Sequence, residues 1–223
     1  HGVGLTAVNA LSEFLEVEVW RDESVFHQEY ERGKPKNPVD KRGKTKKRGT
    51  KITFRPDGKI FADTTFSFDH LARRVRELAF LNRGVTIHVA DERVEPERSE
   101  VFRYDGGIRA FVEHLNQNKG LVHPDIVYFE QAVGAVRVEV ALQYSDRYDE
   151  QVFSFANSIN TVDGGTHLSG FRTALTRTLN TAAKALGLVK EKDALPTGED
   201  YREGLAAIVN VKLPNPQFES QTK

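Results

Sequence analysis

The chain has 223 residues, 39% hydrophobic and 29% charged, an ordinary globular composition with enough apolar material to bury about 70% of the unfolded surface. Lys and Arg total 32 against 32 Asp and Glu, so the molecule as a whole is no polycation, and any nucleic-acid contact must come from local patches. Cysteine is absent, which removes disulfides, thiolate nucleophiles and Cys-ligated zinc; with no 18-residue apolar window and no charged-then-apolar leader, a cytoplasmic protein without membrane contact is expected.

Behind glycines at 2 and 4, Leu5, Val8, Leu11 and Leu15 recur at helical spacing, which predicts a turn and helix over residues 1–14. "EVEVWRD" alternates, with Val17, Val19 and Arg21 on one face and Glu16, Glu18 and Trp20 on the other. "VFHQEYERG" is expected to pair with it through the polar "RDES" turn. "KPKNPVDKRGKTKKR" breaks all periodicity and reads as a long solvated loop, after which "GTKITFRP" resumes as a strand. Phe68, Leu71, Val75, Leu78 and Leu81 step by three and four, an amphipathic helix over 68–81.

"GVTIHVADE" and "VFRY" read as paired strands around the loop "VEPERSE", and "DGG" at 105–107 punctuates the chain before a helix in "IRAFVEHLNQN". The domain boundary is expected there, giving residues 1–104 and 105–223. In the second half "AVRVEVALQYS" and "QVFSFANSI" read as strands. A helix over 168–186 carries the stripe Leu168, Phe171, Leu175, Leu179, Ala182 and Leu186. Thr197 followed by Asp200 resembles a capping box, and "LAAIVNVKLPNP" is a strand closed by prolines. No internal repeat is visible.

Several positions could carry chemistry. Gly2 and Gly4 before a helix let backbone N–H groups approach an anion, although a plain entry turn looks the same. In the terminal "QTK", Lys223 offers a mobile positive charge and Gln221 a carboxamide donor, as would a solvated tail. Arg172, Thr176 and Asn180 share a helix face with Arg177 to the side, either a phosphate-contacting face or a solvated one; "KRGKTKKR" poses the same choice. The seven histidines show no metal-ligand spacing, no nucleophile elbow is present and no carboxylate pair stands out, so no metal ligand is assigned. The residues alone describe a two-domain α+β chain with a candidate anion site at one end.

The motifs "HGVG" with "VNALS", "GT" at 49–50, "RELAFLN", "YDGGIRAFVEHLN", "DGGTHLSGFRTALTRTLN", "REGLAAIVNVKLPNPQF" and "QTK" occur in the order found in DNA gyrase B, so the chain resembles that family of type IIA topoisomerases over essentially its whole length. It also resembles the corresponding topoisomerase IV ATPase chain, less closely at "YDGGIRAFVEHLN" and "TLNTAAK". The resemblance implies the C-terminal part of a GHKL (Bergerat-type) ATPase domain over 1–104 and a ribosomal-protein-S5-domain-2-like transducer over 105–223. It implies ATP and Mg2+ as cofactors. The implied partners are double-stranded DNA, the gyrase A protein in an A2B2 assembly and a second ATP-bound copy of the same protein.

By resemblance, His1, Gly2, Val3 and Gly4 wrap the triphosphate, Leu5 and Ile52 line the adenine pocket, and Thr50 bonds near the base. Arg21 sits with Thr50 at the pocket mouth, where aminocoumarin inhibitors bind in the family. Gln221 and Lys223 reach the γ-phosphate, and Arg172 and Arg177 face DNA. The family's general-base Glu, metal-binding Asn and adenine-reading Asp match nothing in these 223 residues, so this chain alone is expected not to turn over ATP. A nucleotide-independent DNA-binding or interaction module is the alternative.

Overall fold

The computed structural model describes residues 3–190 and 192–218, and the chain divides into two compact units, residues 1–67 and 68–223. In the first, helix α1 (Gly4–Ala10) stops four residues short of the predicted end, and Ser12 already opens strand β1 (Ser12–Arg21). The carbonyls that a longer helix would use internally are claimed from elsewhere. Ser12 Oγ donates to Val8 O at 2.6 Å and Asp57 N donates to Leu11 O at 3.0 Å.

Strand β2 (Ser24–Glu31) returns antiparallel to β1 through the predicted turn, where Asp22 and Glu23 take φ of 51° and 55°, the left-handed pair that matches strand twist. The basic stretch is a correction. It carries β3 (Lys34–Pro35) and β4 (Asp40–Lys44), both paired with β2, whose outer edge would otherwise leave backbone groups unmatched. Every residue of β4 is exposed, so no apolar alternation announces it. With β5 (Gly49–Pro56) on the far side of β1, the path through the sheet is β3-β2-β1-β5. Buried Asp57 closes the unit, accepting from Arg32 Nε at 2.5 Å and Lys59 N at 2.9 Å.

The second unit begins with helix α2 (Phe68–Leu81), as predicted, followed by the hairpin β6 (Ile87–Asp91) and β7 (Arg98–Phe102) and by α3 (Ile108–Leu115). Phe80 of α2 stacks on Tyr104 at 3.7 Å and on Phe111 of α3 at 4.7 Å. That aromatic stack spans the expected boundary at 104/105, so packing keeps both sides of it in one compact unit.

A five-stranded sheet follows: β8 (Val127–Val133), β9 (Val136–Tyr144), β10 (Gln151–Ala156), β11 (Ile159–Asn160) and β12 (Leu205–Lys212), in the order β11-β10-β12-β9-β8. β8 had no predicted counterpart; six of its seven side chains end exposed, without the alternation that marks a half-buried strand. β10 runs parallel to β12, and the crossover between them contains α4 (Thr166–Ala185) and a 3-10 turn at Asp200–Arg202. Thr197 and Asp200 form the predicted reciprocal cap of that turn: Thr197 N donates to Asp200 Oδ2 at 2.6 Å and Asp200 N to Thr197 Oγ1 at 3.3 Å.

Strand β12 lies at the centre and is buried on both faces. Ala206 and Ile208 meet α2 and α3 in a core with Phe80, Ile108, Phe111 and Phe155. Leu205, Ala207 and Val209 meet Phe171 and Leu175 of α4 on the other side. Of the predicted α4 stripe, Leu186 falls beyond the helix and is exposed, and no residue of the helix is fully buried. No helix among the described residues is long and apolar enough to cross a membrane.

Gly204 aligns β12 at its entry. Its φ is +71°, and a Cβ there would lie 2.5 Å from Ser145 O and 2.6 Å from Arg147 O, backbone atoms that cannot swing away. Gly204→Ala is therefore expected to cost about 2–4 kcal/mol, combining left-handed strain and overpacking, read as a lower urea midpoint at unchanged m-value. An unchanged midpoint would show that the strand entry relaxes freely.

Candidate functional site

Strand alternation and register sort the first sheet into two chemically distinct faces. Val19 lies opposite Thr50 and Phe26, and Val17 opposite Ile52 and Gln28, so Arg21, Thr50 and Ile52 emerge on one face, as the alternation of "EVEVWRD" predicted. Arg21 stands over the Phe26 ring at 6.0 Å and pairs with Asp22 at 3.3 Å. The structure thus brings the three residues expected on β1 and β5 onto one surface. Val3 and Leu5, at the start of α1, are exposed. The apolar groove of this unit, ≈ 390 Å³, is lined by Leu11, Phe54, Phe61 and Phe66 among others, and neither Leu5 nor Ile52 belongs to it. His1, Gly2, Gln221 and Lys223 lie outside the described residues.

The opposite face carries Glu16, Glu18, His27 and Glu29. His27 is fully buried there, with Nε2 2.7 Å from Glu16 Oε1 and 3.7 Å from Glu29 Oε1. One ligand atom from each of the three residues falls within 4.8 Å of the others, so the trio could hold a metal ion. Linear spacing missed it because the ligands converge across two strands; the legible signal was the alternation that put Glu16 on the polar face.

In the second unit, the polar face of α4 is engaged within the unit. Arg172 Nη2 donates to Glu150 Oε1 at 2.5 Å, while Arg202 Nε donates to the other oxygen at 2.9 Å. Thr176 Oγ1 donates to Arg172 O at 3.0 Å, and Asn180 Oδ1 accepts from Tyr201 OH at 2.8 Å. This face is therefore neither fully solvated nor wholly open to a phosphate. Arg177, one turn on and to the side, is exposed and makes no ion pair among the described residues.

Burial raises the Glu150 carboxyl, but hydrogen bonds from Arg172 and Arg202 outweigh it and hold the group below its ordinary 4.5. A carboxyl with a lowered folded pKa stabilises the fold above its unfolded value, and that contribution fades as pH falls through the folded value. Glu150→Gln should therefore lower stability near neutrality and flatten the loss of stability on acidification below about pH 4.5, measured by denaturation at a series of pH values. Parallel acid limbs for wild type and variant would deny the carboxylate this role.

Comparison with known proteins places these features. A family profile described as DNA gyrase B matches residues 107–223, just over half of the chain. The DNA gyrase B protein of Clostridium acetobutylicum is 52% identical over all of this chain, which spans 35% of that protein. The crystal structure of the 43K ATPase domain of Thermus thermophilus gyrase B, in complex with an aminocoumarin, superposes with a TM-score of 0.82 at 40% identity, covering 98% of this chain and 60% of that one. A topoisomerase IV ATP-binding domain from Francisella tularensis superposes at 0.80 with 27% identity, covering 100% of this chain and 60% of that one, so identity favours gyrase over topoisomerase IV. The mixed α/β architecture is that of the gyrase B ATPase region, and the chain, about a third the length of its Clostridium relative, belongs to the DNA gyrase B family.

Proposed function

We propose that this chain is part of the ATP-driven clamp of a type IIA topoisomerase, gyrase B, in which ATP binding and hydrolysis drive DNA strand passage and negative supercoiling. The single observation that carries the reading is the likeness to a gyrase B ATPase domain over 98% of the chain at 40% identity. In this reading residues 1–104 belong to the ATP-binding domain and 105–223 to the transducer; the profile match beginning at residue 107 supports that division.

The chain's own residues bind and orient. Backbone N–H groups of His1, Gly2, Val3 and Gly4 hold the triphosphate, with Leu5, Thr50 and Ile52 beside the base. Gln221 and Lys223 place donors on the γ-phosphate, where charge develops during transfer, so that nucleotide state is felt in the transducer. Arg21 and Thr50, on one face of the sheet, suit the mouth of the pocket that takes an aminocoumarin. Mg2+ would neutralise phosphate charge, held by residues that match nothing in this chain, and the general base is likewise supplied from outside it. DNA, the gyrase A protein and a second copy of gyrase B are the partners of the complete protein. Arg177 is the readier of the two DNA-facing arginines, since Arg172 must first leave Glu150.

The test uses a protein of the relatives' full length containing this sequence. It should hydrolyse ATP with stimulation by DNA and the gyrase A protein, and Lys223→Ala should lower hydrolysis by about 100-fold or more, the usual loss for one transition-state donor. Full-length protein that hydrolyses no ATP, or a Lys223→Ala variant as fast as wild type, would overturn the reading or that role respectively.

A further inference from the structure

We propose that Glu16, His27 and Glu29 form a divalent transition-metal site that pins β1 to β2 on the acidic face of the first sheet, with zinc the ion that its ligands suit best. The site is independent of the nucleotide reading. It starts from an electrostatic conflict in the strand register: Glu16 and Glu29 lie directly opposite across the β1–β2 ladder, a like-charge pair that destabilises a sheet unless something neutralises it. Glu18 lies opposite His27 on the same face, and Asp40 of β4 is opposite His27 on its other side, so further negative charge surrounds the pair. Lys51 of β5 lies opposite Glu18, and Arg42 comes no closer than 3.8 Å to Glu29 while also serving Asp40 at 3.4 Å.

His27 is the group at the centre, and its ring is fully buried with Nε2 directed at both carboxylates. Its other nitrogen, Nδ1, is buried without a hydrogen-bond partner among the described residues. Carrying the missing positive charge on the ring would place an unpaired N–H of an imidazolium inside the sheet face, the costlier way to leave a donor unmatched. An uncharged ring spares that cost but leaves the two carboxylates with Arg42, 3.8 Å from Glu29 and shared with Asp40, as their counter-charge. A metal ion meets both needs: it takes the Nε2 lone pair, displaces any proton there to solvent, and adds the charge between Glu16 and Glu29. The orphan Nδ1–H then belongs to an uncharged ring and is offset by the coordinate bonds.

The distances suit this. Ligand atoms about 2.0–2.2 Å from a tetrahedral zinc lie roughly 3.3–3.6 Å from one another. The two Nε2–oxygen distances of 2.7 and 3.7 Å bracket that spacing. One imidazole and two carboxylates form a borderline-hard N/O set that selects zinc or manganese over Ca2+, which prefers six or more oxygens. Glu16 and Glu29 are each about a third exposed or less, which leaves the solvent side for a water as fourth ligand.

Equilibrium dialysis of the metal-stripped protein against micromolar Zn2+ tests the site, with folding checked by circular dichroism. Wild type should retain one ion per chain and melt at a higher temperature with Zn2+ than without. His27→Gln should lose that ion and the thermal shift, and Glu29→Gln should bind at least tenfold more weakly. Should His27→Gln fail to fold, Glu29→Gln decides, because its side chain lies at the partly open edge of the cluster. Wild type that retains no zinc, or folded variants that retain it as tightly as wild type, would overturn the site and leave a His27–Glu16 hydrogen bond; in the latter case the ion binds elsewhere on the chain.

Discussion

The second unit depends on one strand being apolar on both sides. β12 hydrogen-bonds to β10 in parallel and to β9 antiparallel, and its side chains enter two cores, one under α2 and α3 and one under α4. A parallel neighbour requires a crossover, and a crossover helix must cover the sheet it spans, so α4 lies where it does because β10 and β12 are adjacent. Where the apolar run ends, Asn210 continues on the α3 side as a buried amide donating to Glu139 at 3.0 Å. Glu139 in turn accepts from Tyr128 at 3.1 Å, and Arg83 donates to Tyr128 at 2.7 Å. This polar chain lets a strand buried on both faces reach its end without an unmatched charge.

The first unit solves a different problem. Its sheet has one apolar face and one acidic face, and the acidic face is crossed by a cross-strand carboxylate pair whose arginine partner, Arg42, stands 3.8 Å from Glu29 and is shared with Asp40. Sheets usually relieve such a pair by placing a cation opposite; here a buried imidazole occupies the central place instead. A metal ion at that point would fasten two strands whose connecting turn already demands left-handed φ from Asp22 and Glu23, residues less tolerant of it than glycine.

The polar face of α4 shows how helical periodicity fixes which residues share a face but not which partners they meet. Arg172, Thr176 and Asn180 do share a face, at i, i+4 and i+8. Tertiary structure then delivers Glu150, Arg202 and Tyr201 to it from just before β10 and from the turn after the helix. The arginine is thus a structural ligand of Glu150 in this state, and any role toward a phosphate competes with that bond.

The sequence by itself determined what depends on local spacing: α2 to the residue, the turn between β1 and β2, the Thr197–Asp200 cap, the strand β12 before its prolines and, through its ordered motifs, the family. Those features follow from side-chain period and turn chemistry, which act over a few residues. Only the tertiary structure decided the early end of α1, the pairing of β4 inside a basic stretch, the strand β8, the pairing of Arg172 with Glu150 and the meeting of Glu16, His27 and Glu29. Each of these joins backbone or charged groups that are distant in sequence or lie on different strands, where the need to satisfy a hydrogen bond or balance a charge outweighs local preference, and no linear pattern records which distant partner will do so.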